Sequence, residues 1–163
     1  MPHNKKILCF LLPLTLLSGC ASEPANGLSP NQQAALAFMK QNLATPGIHQ
    51  QSSGLQYLVL MEGTGLQPTT MDRVTAYYRG YFPNDTTFDE TPPGKPATFE
   101  LGMVIPGWQE GLSLMREGAK YRFFIPPHLG YGSRGMEPKI PPDQMLIFDV
   151  ELLRVEKLKP LVK

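Results

Sequence analysis

The chain has 163 residues, 42% hydrophobic and 18% charged, with a formal net charge of +1. That describes one globular domain with some extra length and excludes the basic excess that binding a nucleic-acid backbone requires. Seventeen prolines and fifteen glycines favour many turns and short strands over a helical bundle.

Residues 1–6 are short and basic, and residues 7–17 are apolar apart from Pro13 and Thr15. This reads as the apolar region of a signal peptide, too short to span a bilayer as a mature helix. It ends in Leu17-Ser18-Gly19-Cys20, which resembles the lipobox of bacterial lipoproteins, where the chain is cut before the cysteine and its thiol is diacylated. The alternative is an ordinary secretory cut that leaves Cys20 free. The lipobox resemblance implies a lipoprotein signal over residues 1–19 and lipidation at Cys20. With Ala21 rather than Asp next, it also implies an anchor in the outer membrane, facing the periplasm or the cell surface. Cys9 would leave with the signal and Cys20 would carry lipid, so no disulfide is expected in the mature chain.

Residues 21–29 carry no apolar period and read as a tether. Ser29 as N-cap and Pro30 at the first helical position then open a helix to residue 43, with Phe38 and Leu43 expected to dock on the domain C-terminal to it. The tether and helix together make a lipidated segment over residues 20–52. Alternation predicts strands at 55–62 and 73–82. In the second, Val74, Ala76, Tyr78, Gly80 and Phe82 point inward, while Tyr77 and Tyr81 point outward. Phe88 and Asp89 lie on an irregular edge before the proline-rich run 91–96. A strand at 97–101 leads through Ile105 into a helix with Pro106 at its first position. Trp108, Leu112 and Met115 share one face of that helix, and Gly118 is placed to close it. Strands at 120–125 and 145–155 flank a long loop, 126–143, of a length more often functional than idle.

The expected fold is α+β: an antiparallel sheet of about five strands wrapped on one short helix, preceded by an N-terminal helix. Tyr78, Phe88, Phe99, Trp108, Tyr131 and Phe148 are placed to converge near the start of the second helix. The polar groups within reach are Asp89, the Tyr131 hydroxyl and the Ile105 backbone N–H. Each has a structural alternative: Trp108 as the largest core residue, Asp89 as a cap on the bend after Phe88, Tyr131 as a loop anchor. His49 and His128 stand apart from other metal ligands, and neither a nucleophilic triad nor a phosphate loop is present, so no metal or cofactor is expected.

Val104-Ile105-Pro106-Gly107-Trp108, Phe88-Asp89, Gly130-Tyr131-Gly132, Ile140-Pro141-Pro142 and Phe148-Asp149-Val150-Glu151-Leu152 occur at workable spacings along the chain. Together they resemble the FK506-binding protein (FKBP) family of peptidyl-prolyl cis/trans isomerases, over residues 53–157, with a tail at 158–163. The preceding stretch is similar to the bacterial Mip-like branch. The resemblance implies catalytic roles for Asp89 and Tyr131, and a substrate pocket made by Tyr78, Phe88, Val104, Ile105, Trp108, Ile140 and Phe148, with Ile140 closing its rim. It implies Xaa-Pro polypeptides as substrates, macrolides of the FK506 or rapamycin type as inhibitors, and membrane attachment only through the lipid. Ala97 and Met136 depart from the pattern at the pocket edge, which bears on ligand preference. Because only a short helix precedes the domain, a monomer is expected. The rival reading keeps the cleft but makes it a non-catalytic chaperone or surface binding module.

Overall fold

The structure, a computed structural model, describes residues 27–158. The signal segment, Cys20 and most of the tether lie outside the described residues, as does most of the C-terminal tail. Among the described residues no helix is long and apolar enough to cross a membrane.

Helix α1 (Pro30–Asn42) starts at Ser29 through a capping box: the Ser29 hydroxyl accepts from the Gln32 N–H and the Gln32 side chain accepts from the Ser29 N–H. This satisfies two donors that a helix start would otherwise leave open. Strands β1 (Ile48–Gln50), β2 (Gln56–Met61), β3 (Arg73–Tyr81), β4 (Thr87–Glu90) and β5 (Ala97–Glu100) precede helix α2 (Pro106–Leu114), and β6 (Lys120–Ile125) and β7 (Leu146–Glu156) come after it. All pairings are antiparallel, in the order β1-β2-β6-β7-β3-β4, with β5 also pairing β3. The count of about five becomes seven because β1 and the short β4 both join the ladder. The 91–96 run separates β4, at one end of β3, from β5 at the other.

The main core lies between α2 and the sheet. Trp108 and Leu112 of α2, with Met115 just beyond its end, pack with Leu55, Val74, Ala76, Phe123, Leu146, Val150 and Leu152. Helix α2 is shorter than its apolar period suggests. It stops at Leu114, Met115 is extended, and Gly118 takes φ +92° in the next turn rather than capping the helix.

The opposite face of the sheet is covered as well. Tyr81 lies on the outer face as expected, yet it is buried there with Phe124, Met145, Ile147 and Ala35 of α1. Phe38 docks as expected, its ring 6.0 Å from that of Phe124, whereas Leu43 stays exposed. Polar contacts fix the helix in register. Wholly buried Gln56 donates to the Met39 carbonyl and the Gln50 side chain and accepts from Asn42 Nδ2. At the other end, Gln32 Nε2 donates to Asp143 and Asn31 Nδ2 to the Pro142 carbonyl.

Candidate functional site

The start of α2 opens on a cleft of about 310 Å³ lined by Tyr78, Phe88, Asp89, Phe99, Met103, Val104, Ile105, Trp108, Tyr131, Met136 and Phe148. Strand β3 supplies Tyr78, β4 Phe88 and Asp89, β5 Phe99, α2 Trp108 and β7 Phe148. Val104 and Ile105 come from the link into α2, and Tyr131 from the long loop. Trp108 proves to be both a core residue and the floor: it is 4% exposed, clusters with the main core and lines the cleft.

Three rings stand edge to face around the indole: Tyr78 at 5.2 Å and 86°, Phe148 at 5.2 Å and 83°, Phe99 at 5.3 Å and 76°. Phe88 meets Phe148 in the same manner at 5.5 Å and 87°. These contacts add to the apolar burial of each ring and fix the shape of the walls. The indole N–H is buried without a hydrogen-bond acceptor among the described residues. Gly80 is part of this construction although its sequence position gave it no role. A Cβ there would lie 2.6 Å from Phe148 and 2.7 Å from Phe88, so only glycine lets the two rings close over β3.

The polar groups sit at the rim. The Tyr78 hydroxyl donates to Asp89 Oδ2 at 2.7 Å. Among the described residues that carboxylate accepts from no backbone amide, so it does not cap the bend. Burial, and then the Asp89 carboxylate, hold the Tyr78 hydroxyl well above the usual phenol range. Burial and the same carboxylate push Tyr131 upward too. Both phenols are therefore neutral donors at physiological pH. The Tyr131 hydroxyl and the Ile105 N–H have no acceptor among the described residues, and both residues line the cleft. An aromatic box with two unpartnered donors and one carboxylate suits a planar, apolar group that carries carbonyl acceptors. Among the described residues no cluster of three metal-binding side chains occurs.

Of the residues named from the sequence, Tyr78, Phe88, Asp89, Val104, Ile105, Trp108, Tyr131 and Phe148 are brought together. Ile140 is not: it is wholly buried in the main core and forms no part of the cleft lining. Its backbone exchanges hydrogen bonds with Met136, at 2.8 and 2.9 Å, so it holds the turn that presents Met136 to the rim. Phe99, Met103 and Met136 complete the walls. Phe99 was placed by its inward position on β5, but nothing in the sequence marks Met103.

Residues 65–153 match a family model described as FKBP-type peptidyl-prolyl cis-trans isomerase. The chain is 43% identical over 126 residues to a probable FKBP-type peptidyl-prolyl cis-trans isomerase FkpA of Neisseria meningitidis serogroup B, covering 77% of this chain and 46% of that one. It is 43% identical over 128 residues to the outer membrane protein MIP of Legionella longbeachae, covering 78% and 55%. A crystal structure of a peptidyl-prolyl cis-trans isomerase from Pseudomonas syringae pv. tomato superposes with a TM-score of 0.74 at 35% identity, covering 78% of this chain and 94% of that one. The chain spans about half the length of the curated relatives it matches. The match takes in every element that lines the cleft, from β3 to Phe148 on β7, and on these grounds the chain belongs to the FKBP-type peptidyl-prolyl cis-trans isomerase family.

Proposed function

We propose that this chain catalyses cis/trans rotation of Xaa-Pro bonds in proteins of the bacterial cell envelope, working from a lipid anchor at Cys20. The observation that carries the reading is the pairing of an edge-to-face aromatic box with two donors, the Tyr131 hydroxyl and the Ile105 N–H, that lack partners of their own.

Rotation about a peptide bond meets a barrier of about 18–20 kcal/mol, because amide resonance is lost in the twisted state. Both isomers of Xaa-Pro are populated, and uncatalysed exchange takes on the order of tens of seconds or more. In this reading the pyrrolidine ring lies on Trp108 between Tyr78, Phe99 and Phe148. The twisted amide has a less polar carbonyl than the planar one and so loses less on leaving water, which favours the transition state over the ground state. Tyr131 and Ile105 hold the carbonyls of the bound segment. Asp89 moves no proton; it orients Tyr78 and sets the local field.

The sequence motifs and the relatives' names support the cellular setting. Residues 1–19 act as a lipoprotein signal, 20–52 as a lipidated tether and short helix, 53–157 as the isomerase domain and 158–163 as a tail. The chain acts as a monomer of the Mip-like branch, held at the outer membrane and facing the periplasm or the cell surface, and macrolides of the FK506 or rapamycin type compete for the cleft. The test is two-dimensional exchange NMR on an Ala-Ala-Pro-Phe peptide with catalytic amounts of the chain. Exchange cross-peaks should appear with the wild type and weaken in an Asp89→Ala, Tyr131→Phe double variant. No acceleration by the folded wild type would make the cleft a binding site only.

A further inference from the structure

Two of the cleft's walls are thioethers, and both stand in the open. Met103, in the 3-10 turn between β5 and α2, is 82% exposed, and Met136, in the long loop, is 38% exposed, yet both line the cleft. They reach the rim from independent backbone segments. Met136 is held by its bridge to Ile140, with Gly135 beside it at φ +65°, a site where a Cβ would lie 2.5 Å from the Ile140 carbonyl oxygen. Asp89 and Tyr131 bring polar groups to the same cleft. A flexible, polarisable side chain at such a position makes apolar contact with the residues flanking a bound proline. The described residues contain no cysteine, so methionine is the sulfur that oxidants meet first on this surface. Met115 and Met145 are buried and protected, while Met61 and Met71, 45% and 71% exposed, lie away from the cleft.

We propose that Met103 and Met136 form a reversible oxidation site that turns down the isomerase, an inference that rests on the activity proposed above. The oxidant is a two-electron one of the hydroperoxide or hypochlorous acid class. With a hydroperoxide, the methionine sulfur attacks the nearer oxygen, an S–O bond forms and the O–O bond breaks. The departing oxygen takes a proton and leaves as water or alcohol. Sulfur is oxidised by two electrons and the peroxide is reduced by two. The product sulfoxide is polar and chiral where the thioether was apolar. A rim carrying two sulfoxides, beside Asp89, no longer covers apolar side chains next to the proline, so substrate binding weakens while the Trp108 floor is untouched. A thiol-dependent methionine sulfoxide reductase restores the thioethers and the rate.

The experiment treats the full chain in peroxide-free detergent with graded hydrogen peroxide and maps sulfoxides by peptide mass spectrometry. Isomerisation of the Ala-Ala-Pro-Phe peptide is measured at each stage, every protein normalised to its own untreated rate. The untreated wild type tests the activity itself; the treated samples test the switch. Wild type should lose about fivefold in kcat/KM, mostly through KM, in step with oxidation of Met103 and Met136. Methionine sulfoxide reductase should restore it. A Met103→Leu, Met136→Leu variant, oxidised equally at Met61 and Met71, should keep its own rate. Wild type that keeps its rate with both rim methionines fully oxidised overturns the proposal. So does a double variant that loses as much as wild type.

Discussion

Removing the Tyr131 hydroxyl separates a functional role from a structural one more cleanly than any other change in the cleft. In Tyr131→Phe the ring keeps its place in the loop, and no hydrogen bond within the described structure is lost, because that hydroxyl has no acceptor there. Folding stability should therefore stay within about 0.5 kcal/mol of wild type, the range for changes that break no named interaction. Catalysis should not escape so lightly. A neutral hydrogen bond contributes about 0.5–1.5 kcal/mol net, and about 1.36 kcal/mol is tenfold in rate. If the hydroxyl holds a substrate carbonyl through the rotation, kcat/KM should fall by about two- to tenfold. Exchange NMR measures the rate and urea unfolding the stability, on the same samples. A rate within twofold of wild type would show that the hydroxyl does not touch substrate. A rate loss accompanied by 1 kcal/mol or more of lost stability, roughly the size of a broken internal hydrogen bond, would return Tyr131 to the role of loop anchor.

Residues outside the cleft yield two further expected outcomes. Burial opposes ionisation of Asp72, but hydrogen bonds from Lys157, from the Thr69 N–H and from its hydroxyl outweigh it and hold the carboxyl at about 2, below its ordinary 3.8. A lowered folded-state value adds stability that is fully present above pH 4 or so and disappears as pH falls towards 2. At about 1.36 kcal/mol per unit, and discounting for a half-exposed Lys157, Asp72→Asn should cost about 1–2 kcal/mol at pH 7 and about half that at pH 3. Urea unfolding at both pH values checks this, and an equal loss at each would refute it. In α2, alanine is the better helix former by about 1 kcal/mol. A Cβ at Gly111, however, would lie 2.7 Å from the wholly buried Phe123 ring. Overpacking of that kind costs about 1–3 kcal/mol, so Gly111→Ala should destabilise by up to about 2 kcal/mol net, read as a lower urea midpoint; a raised midpoint would show that Phe123 yields.

The fold was legible wherever one rule governed a segment. Ser29-Pro30 started α1 because capping chemistry and proline geometry act on the local chain alone. The alternation of β3 and β7 gave the face that meets α2, since period two has only two phases. The second face was not legible. Tyr81 and Phe124 occupy outward positions that suit a solvated aromatic as well as a buried one, and the helix that buries them lies some forty or more residues earlier in the chain. Gln56 is the sharper case. A glutamine reads as exposed, and its complete burial depends on three partners, at Met39, Asn42 and Gln50, that only tertiary contact brings together. β1 is three residues long, too short for any periodic signal.

The candidate site divides along the same physical line. Aromatic rings announce themselves, because a residue that buries so much apolar area has few places to go, and the rings assigned to the pocket do line it. The exchange of Ile140 for Met103 shows where that reasoning stops. Both are apolar residues near proline-containing turns, and the family resemblance puts the isoleucine at the rim and says nothing of the methionine. In the structure Ile140 has no surface left to offer, while Met103 stays uncovered at the cleft edge. Backbone direction separates them: the 135–140 turn folds Ile140 back against the core through its bridge to Met136, whereas the 3-10 turn ahead of α2 leaves Met103 pointing outward. The walls of such a cleft can thus be read from composition and order, but its rim depends on turns of a few residues. Ligand preference in this chain therefore rests on the residues that sequence patterning specifies least, and comparing Met103→Leu with Met103→Glu on peptides differing only beside the proline would expose it.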